Sequence, residues 1–249
     1  MDFPDFFSAT ADEYARARPE YPDALFPWIA GLVASHGRVW DVGCGNGQAS
    51  RGLATVFASV HATDPSAAQI ARAHGPGNIT FAVEAAEHCS LPDASVDAIC
   101  TAQALHWFDR PRFFAECVRV LRPGGVLVAW GYQDILAPPP LSEAVGAFQD
   151  EVEASWPPQR ALVDDAYAAL DWPFPAEAVT PPFDALRVRW PLARLLAYFS
   201  SYSATQQYRD RTGIDPVQAH AAAIAAAWGD PAQEQSLHWP FFVHVRRKP

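Results

Sequence analysis

Arg38-Val39-Trp40-Asp41-Val42-Gly43-Cys44-Gly45-Asn46-Gly47 is the stretch whose reading decides the fold. Residues 38–42 form a short apolar strand that empties into a loop with glycine at every second position, and a helix is expected over 47–58. Glycines let the chain turn sharply and let a ligand press against main-chain atoms. Asp41 stands two residues before the first glycine, and Asp64 ends the next strand, 21 residues after Gly43. That spacing suits a carboxylate accepting hydrogen bonds from ribose hydroxyls. The plainer alternatives are a tight strand-to-helix turn without a ligand and, for Asp64, a cap on the helix that follows Pro65.

Working outward, strands are expected at 59–63, 78–83, 95–100 and 126–130, with helices at 67–73 and 111–121 between them. Pro111 sits at a first-turn position of the last of these helices. Arg122-Pro123-Gly124-Gly125 reads as a turn. Strands alternating with helices at this cadence imply right-handed crossovers and a mostly parallel, doubly wound sheet. The N-terminal flank is expected to be helical at 9–18 and 23–35. Beyond about residue 135 proline punctuates the chain, in Ala137-Pro138-Pro139-Pro140, Trp156-Pro157-Pro158 and 172–182. Helices are expected there at 141–155, 160–170, 192–202 and 216–228. Strands at 184–190 and 237–247 are expected to pair as a final antiparallel hairpin.

The chain has 249 residues, a formal net charge of −10, 50% hydrophobic residues and 18% charged residues. Such a composition supports a single large core and excludes disorder as the dominant state. An acidic surface speaks against nucleic acid as partner, because phosphate backbones select basic surfaces. The four cysteines, at 44, 89, 100 and 117, have neither CxxC nor zinc-finger spacing, so a disulfide scaffold or zinc module is not expected. No H-E-x-x-H or similar metal-ligand set occurs. The first residues lack a basic, long-apolar leader, and no run reaches the roughly 20 apolar residues that span a bilayer. The reading is a soluble, cytoplasmic protein with no membrane partner.

A dinucleotide fingerprint would place its third glycine one residue later than Gly47. The shorter spacing, with Asp41 before it, resembles motif I of the class I S-adenosylmethionine-dependent methyltransferases. The resemblance continues through His61-Ala62-Thr63-Asp64-Pro65-Ser66, Val83-Glu84-Ala85-Ala86-Glu87 with Leu91-Pro92-Asp93, Ala102-Gln103-Ala104-Leu105-His106-Trp107-Phe108, and Val120-Leu121-Arg122-Pro123-Gly124-Gly125. Tyr14, Arg18-Pro19, Tyr21-Pro22, Trp190-Pro191 and 198–203 resemble a small-molecule subgroup similar to trans-aconitate methyltransferases.

The resemblance implies an α/β Rossmann-like methyltransferase fold, with a doubly wound, mostly parallel seven-stranded sheet, an antiparallel edge strand and a helical cover. It implies one domain over 1–249: a helical cover at 1–37, a donor-binding core at 38–135, a Pro-rich helical insertion at 136–183, and edge strands with helices at 184–249. The implied cofactor is S-adenosyl-L-methionine. Gly43, Cys44, Gly45 and Gly47 would approach its amino-acid tail, and Asp41 would attract the tail ammonium. Asp64, beside Pro65, would hold the ribose, and Ala86 and Glu87 would face adenine. Gln103, Ala104 and Trp107 would approach the sulfonium, with Tyr14 and Arg18 covering the donor. The aromatic segment with Phe3, Phe6, Phe7 and Tyr14 is expected to close over it as a lid.

Methyl transfer from a sulfonium needs in-line positioning and exclusion of water more than acid–base chemistry. The expected partner is a small-molecule acceptor with an oxygen nucleophile, such as an organic acid. Arg18, Arg160, Arg209 and Arg211 are candidates to anchor its carboxylate. His106 is the candidate base should the acceptor be a phenol or amine, with shaping of its loop as the alternative role.

Overall fold

The structure is a computed structural model that describes residues 18–249. Strands β1 (Arg38–Val42), β2 (Ser59–Asp64), β3 (Ile79–Val83), β4 (Val96–Ala102), β5 (Leu121–Tyr132), β6 (Ala185–Trp190) and β7 (Gln235–Arg247) form one sheet in the order β3-β2-β1-β4-β5-β7-β6. The first five pair in parallel, and β7 pairs antiparallel with both β5 and β6. The strand order reverses between β1 and β4, where open α/β sheets bind ligands beyond the carboxyl ends of their strands.

Both faces of the central strands are covered, which is why β1 and β4 read as near-continuous apolar runs. On one face Val39, Ala98, Cys100, Val128 and Trp130 pack against α1 (Leu25–Ala30) and α2 (Gln48–Leu53). On the other, Trp40, Val42, Ile99 and Leu127 pack against α4 (Arg110–Val120) and against Val163, Tyr167 and Phe174 of the insertion. A short helix, α3 (Ala67–Ile70), follows β2.

A third apolar cluster lies beyond β5. It joins α5 (Leu141–Val152), α7 (Leu192–Ser200), α8 (Ser203–Thr212) and α9 (Pro216–Trp228) to Leu186 and Trp190 of β6 and Leu237 and Trp239 of β7. Capping defines these ends. The Asp109 carboxylate accepts from Arg112 N and the Asp215 carboxylate from Val217 N, each with proline in the first turn behind it.

Three expectations change. The two C-terminal strands pair antiparallel as expected, but β7 also pairs with β5 and so is interior, and β6 alone forms that edge. The helix α8 carries no apolar period, since only Ala204, Thr205 and Tyr208 are buried, so sequence patterning missed it. The helix expected over 160–170 is only α6 (Arg160–Asp164), because Ala166 and Tyr167 turn into the left-handed region at φ 48° and 59°.

Among the described residues, no helix is long and apolar enough to cross a membrane. No group of three or more His, Cys, Asp or Glu side chains among them is placed to hold a metal ion.

Candidate active site

A cavity of about 560 Å³ opens at the carboxyl ends of β1, β2 and β4. Its floor is the glycine loop. Gly43 N and Cys44 N donate to Thr63 O at 2.8 and 2.9 Å, which staples the loop to the end of β2. Gly43 has φ 69°, and a Cβ there would stand 2.6 Å from Ala104 Cβ. Only glycine allows the loops after β1 and β4 to meet so closely. Gly47, at φ 86°, is the residue that enters α2, and a Cβ on it would strike the Phe81 ring.

Asp64 ties two loops together. Its Oδ2 accepts from Gly45 N and its Oδ1 from Ser66 N, both at 2.9 Å. The capping role considered for Asp64 belongs instead to Ser66, whose Oγ accepts from Gln69 N. Asp64 also lines the cavity.

Asp41 lies beneath the loop rather than in the cavity wall. It is wholly buried, and Ser50 Oγ donates to its Oδ2 at 2.5 Å. Its Oδ1 has no hydrogen-bond partner among the described residues. Burial, opposed by the Ser50 bond and aided by the Asp64 charge, pushes its pKa up to about 7.

Of the residues expected at the donor, Arg18, Gly43, Cys44, Gly45, Asp64, Pro65, Ala86, Glu87, Gln103, Ala104 and Trp107 line the cavity. Gly47 and Asp41 are not in its wall. Tyr14 and the other aromatic residues of the expected lid lie outside the described residues. Glu87 Oε1 accepts from Asp109 N at 2.8 Å, so it links the loop after β3 to the start of α4. Gln103 has φ 53°, and its side-chain amide pairs in both directions with the backbone of Tyr132. Cys44 is a thiol, not a thiolate: burial and the charges of Asp41 and Asp64 push its pKa upward.

His106, the expected candidate base, does not line the cavity. Its ring is buried, with Nδ1 2.9 Å from the Tyr167 hydroxyl. Burial, then the positive charges of Arg160, Arg110 and Arg18, pull its pKa down to about 3. Loop shaping is the role this geometry favours.

The four arginines considered as anchors separate. Arg160 is held by Asp134 and Asp164 and lies over the Trp156 ring at 4.3 Å. Arg209 pairs with Asp215, and Arg211 donates to Ser155 Oγ. Arg18 lines the cavity, over the rings of Tyr198 and Tyr202 at 5.3 and 5.7 Å.

Sequence reasoning did not single out Gln69, Tyr132 or Gln159, which also line the cavity. Gln159 comes from the Pro-rich segment after β5 and carries no local motif; only chain packing brings it there.

The sequence matches the family model described as a methyltransferase domain over residues 40–129. A Dictyostelium discoideum protein named as a methyltransferase is 32% identical over 216 residues, which cover 81% of this chain and 78% of that protein. A Mycobacterium bovis protein named as an uncharacterized methyltransferase is 38% identical over 131 residues, 51% of this chain and 53% of its own length. A solved structure from Anaeromyxobacter dehalogenans, described as a type II methyltransferase, is 42% identical with a TM-score of 0.85, covering 92% of this chain and 97% of that one.

Proposed function

The chain belongs to the S-adenosylmethionine-dependent methyltransferases, and on that premise we propose that its acceptor is a small molecule with an oxygen nucleophile, such as an organic-acid carboxylate. S-adenosylmethionine supplies a methyl group already activated by its sulfonium.

The residues present fit that donor. A Cβ on Gly45 would meet nothing nearer than Gln69 Oε1 at 3.9 Å, so the open side of the loop can take a ligand against the main chain. Asp41 Oδ1 is a buried acceptor without a partner among the described residues, and from beneath the loop it would attract the tail ammonium through a bridging water. Gly43, Cys44 and Gly45 would line the amino-acid tail. Asp64, beside Pro65 in the cavity wall, would accept from the ribose hydroxyls. Ala86 and Glu87 would border adenine. Gln103, Ala104 and Trp107 would face the sulfonium, where the indole offers its ring to a cation. The chain's work is to bind, align and exclude water.

The observation that carries the acceptor reading is Arg18 in the cavity wall, held over two tyrosine rings. Guanidinium suits carboxylate through a two-pronged bond. A carboxylate acceptor is already deprotonated at neutral pH and requires no base, consistent with a neutral, buried His106. The flanks similar to trans-aconitate methyltransferases support the same class. Four buried free thiols support a reducing, cytoplasmic setting.

A screen with methyl-labelled S-adenosylmethionine tests this reading. Transfer to small organic acids, with turnover nearly flat from about pH 6 to 9, is expected. Methylation of phenols or amines alone would replace the carboxylate reading.

A further inference from the structure

One side chain of the Pro-rich insertion reaches the loop beside the cavity. After α6 the chain turns through Ala166 and Tyr167, two consecutive non-glycine residues with positive φ. The turn is closed by Ala166 N donating to Val163 O at 2.9 Å and Tyr167 N donating to Leu162 O at 2.8 Å. His244 Nε2 of β7 holds Ala166 O at 2.7 Å. The result buries Tyr167 completely and sets its hydroxyl against His106 Nδ1. Trp107, next in the chain, lines the cavity.

We propose that Tyr167 is a positioning residue, whose hydroxyl donates to His106 Nδ1 and fixes that ring as the neutral Nε2–H tautomer, locking the 103–107 loop to the insertion.

The direction of the bond follows from what surrounds it. Burial raises the Tyr167 pKa, so the hydroxyl keeps its proton, while the His106 main-chain amide acts on the oxygen in the opposite sense. The ring is neutral and its Nδ1 stands 2.9 Å from the hydroxyl, so that nitrogen is the acceptor the Tyr167 proton meets. A neutral imidazole that accepts at Nδ1 carries its proton on Nε2. The charged groups acting on His106 are Arg160 of α6, Arg110 of α4 and Arg18, all positive and all opposing protonation. The other titratable ring near Tyr167 is His244, at 6.5 Å between ring centres, itself shifted toward neutrality by burial. His106 therefore has no free basic nitrogen and acts through the loop it holds. The tautomer assignment is independent of the acceptor; the consequence for catalysis rests on the acceptor site proposed above.

Imidazole 15N–1H correlation spectra of the full chain test this directly, with the His106 signals identified by their loss in His106→Gln. The expected result is a single Nε2–H tautomer in the wild type. In Tyr167→Phe the expected result is a mixed or reversed tautomer, with amide exchange in residues 103–107 at least tenfold faster. S-adenosylhomocysteine affinity within about threefold of wild type would confirm that this variant keeps its donor pocket. An Nδ1–H or mixed tautomer in the wild type overturns the proposal, and decides the matter alone if Tyr167→Phe does not fold. An unchanged tautomer or unchanged loop exchange in a folded Tyr167→Phe also overturns it. If organic acids are not methylated, the acceptor reading fails and the tautomer result stands.

Discussion

The glycine-loop side of the cavity, where we propose that the donor binds, and the side bordered by the flanking segments are held by different kinds of bond. On the glycine-loop side the decisive donors are main-chain amides, bonded across no more than 20 positions: Gly43 and Cys44 to Thr63 O, Gly45 to Asp64 across 19 positions, Ser66 to Asp64 across two. On the other side, side chains meet across long separations. Tyr167 reaches His106 over 61 positions, Tyr202 donates to Asp134 over 68, and Arg18 reaches Ser201 O over 183. A main-chain cradle tolerates most changes of side chain except where a Cβ intrudes. A side-chain network can be altered one atom at a time. The first suits a donor common to a family, and the second can vary with the acceptor.

The largest expected effect is at the point of closest main-chain approach. Gly43→Ala forces an L side chain into φ 69° with its Cβ 2.6 Å from Ala104. It is expected to cost about 2–4 kcal/mol in urea unfolding, from left-handed strain plus overpacking. Gly124→Ala shares the positive φ but meets nothing within 4 Å, and is expected to cost only about 1 kcal/mol. Equal costs at the two sites would mean that close approach is not what fixes the donor loop.

Next is Asp64. Hydrogen bonds from ribose hydroxyls to a charged acceptor are worth about 1.5–3 kcal/mol. Asp64→Ala is therefore expected to weaken S-adenosylhomocysteine binding roughly 10–150-fold by calorimetry. Unchanged affinity in a folded variant would remove Asp64 from the donor site.

The two sides also oppose each other in pH. Asp41 has a folded pKa of about 7 against an ordinary 3.8, so the folded state holds an extra proton and stability falls as pH rises between those values. His106 has a folded pKa of about 3 against 6.5, so the unfolded state holds the extra proton and stability rises with pH over that window. From pH 5 to 6.5 the two slopes largely cancel in the wild type. His106→Gln is expected to leave stability falling by up to about 2 kcal/mol across that interval, and Asp41→Asn to leave it rising by a similar amount, at about 1.4 kcal/mol per pH unit. Chemical denaturation at several pH values checks this. Slopes of the same sign in the two variants would break the contrast.

The smallest effect is expected at Tyr202→Phe, which deletes the 2.8 Å bond to Asp134 while Arg160 still pairs with that carboxylate. A stability loss of about 1 kcal/mol is expected, with S-adenosylhomocysteine affinity within twofold of wild type. A tenfold loss of donor affinity would show that the two sides are not separable.

Much of the glycine-loop side was legible in the residues. Strand β1, the glycines, Asp64 and the loop 102–108 form a local pattern, because a strand-loop-helix turn makes its contacts within a short stretch of chain. Less could be read beyond residue 135. The polar helix α8 offers no apolar period, and Gln159 enters the cavity wall only because the insertion folds back over the sheet. His106 stood in the right loop, yet its orientation depends on Tyr167, which no local pattern connects to it.

By itself, then, the sequence determined the alternation of strand and helix, the parallel core and the glycine-and-acid cradle, since periodicity and glycine geometry act over neighbouring residues. Tertiary structure alone decided that β7 lies inside the sheet, that Asp41 lies beneath the loop, that Arg18 lines the cavity and that His106 faces Tyr167. Those depend on burial and on which distant side chains share a low-dielectric space, and both are properties of packing that emerge only when the layers close.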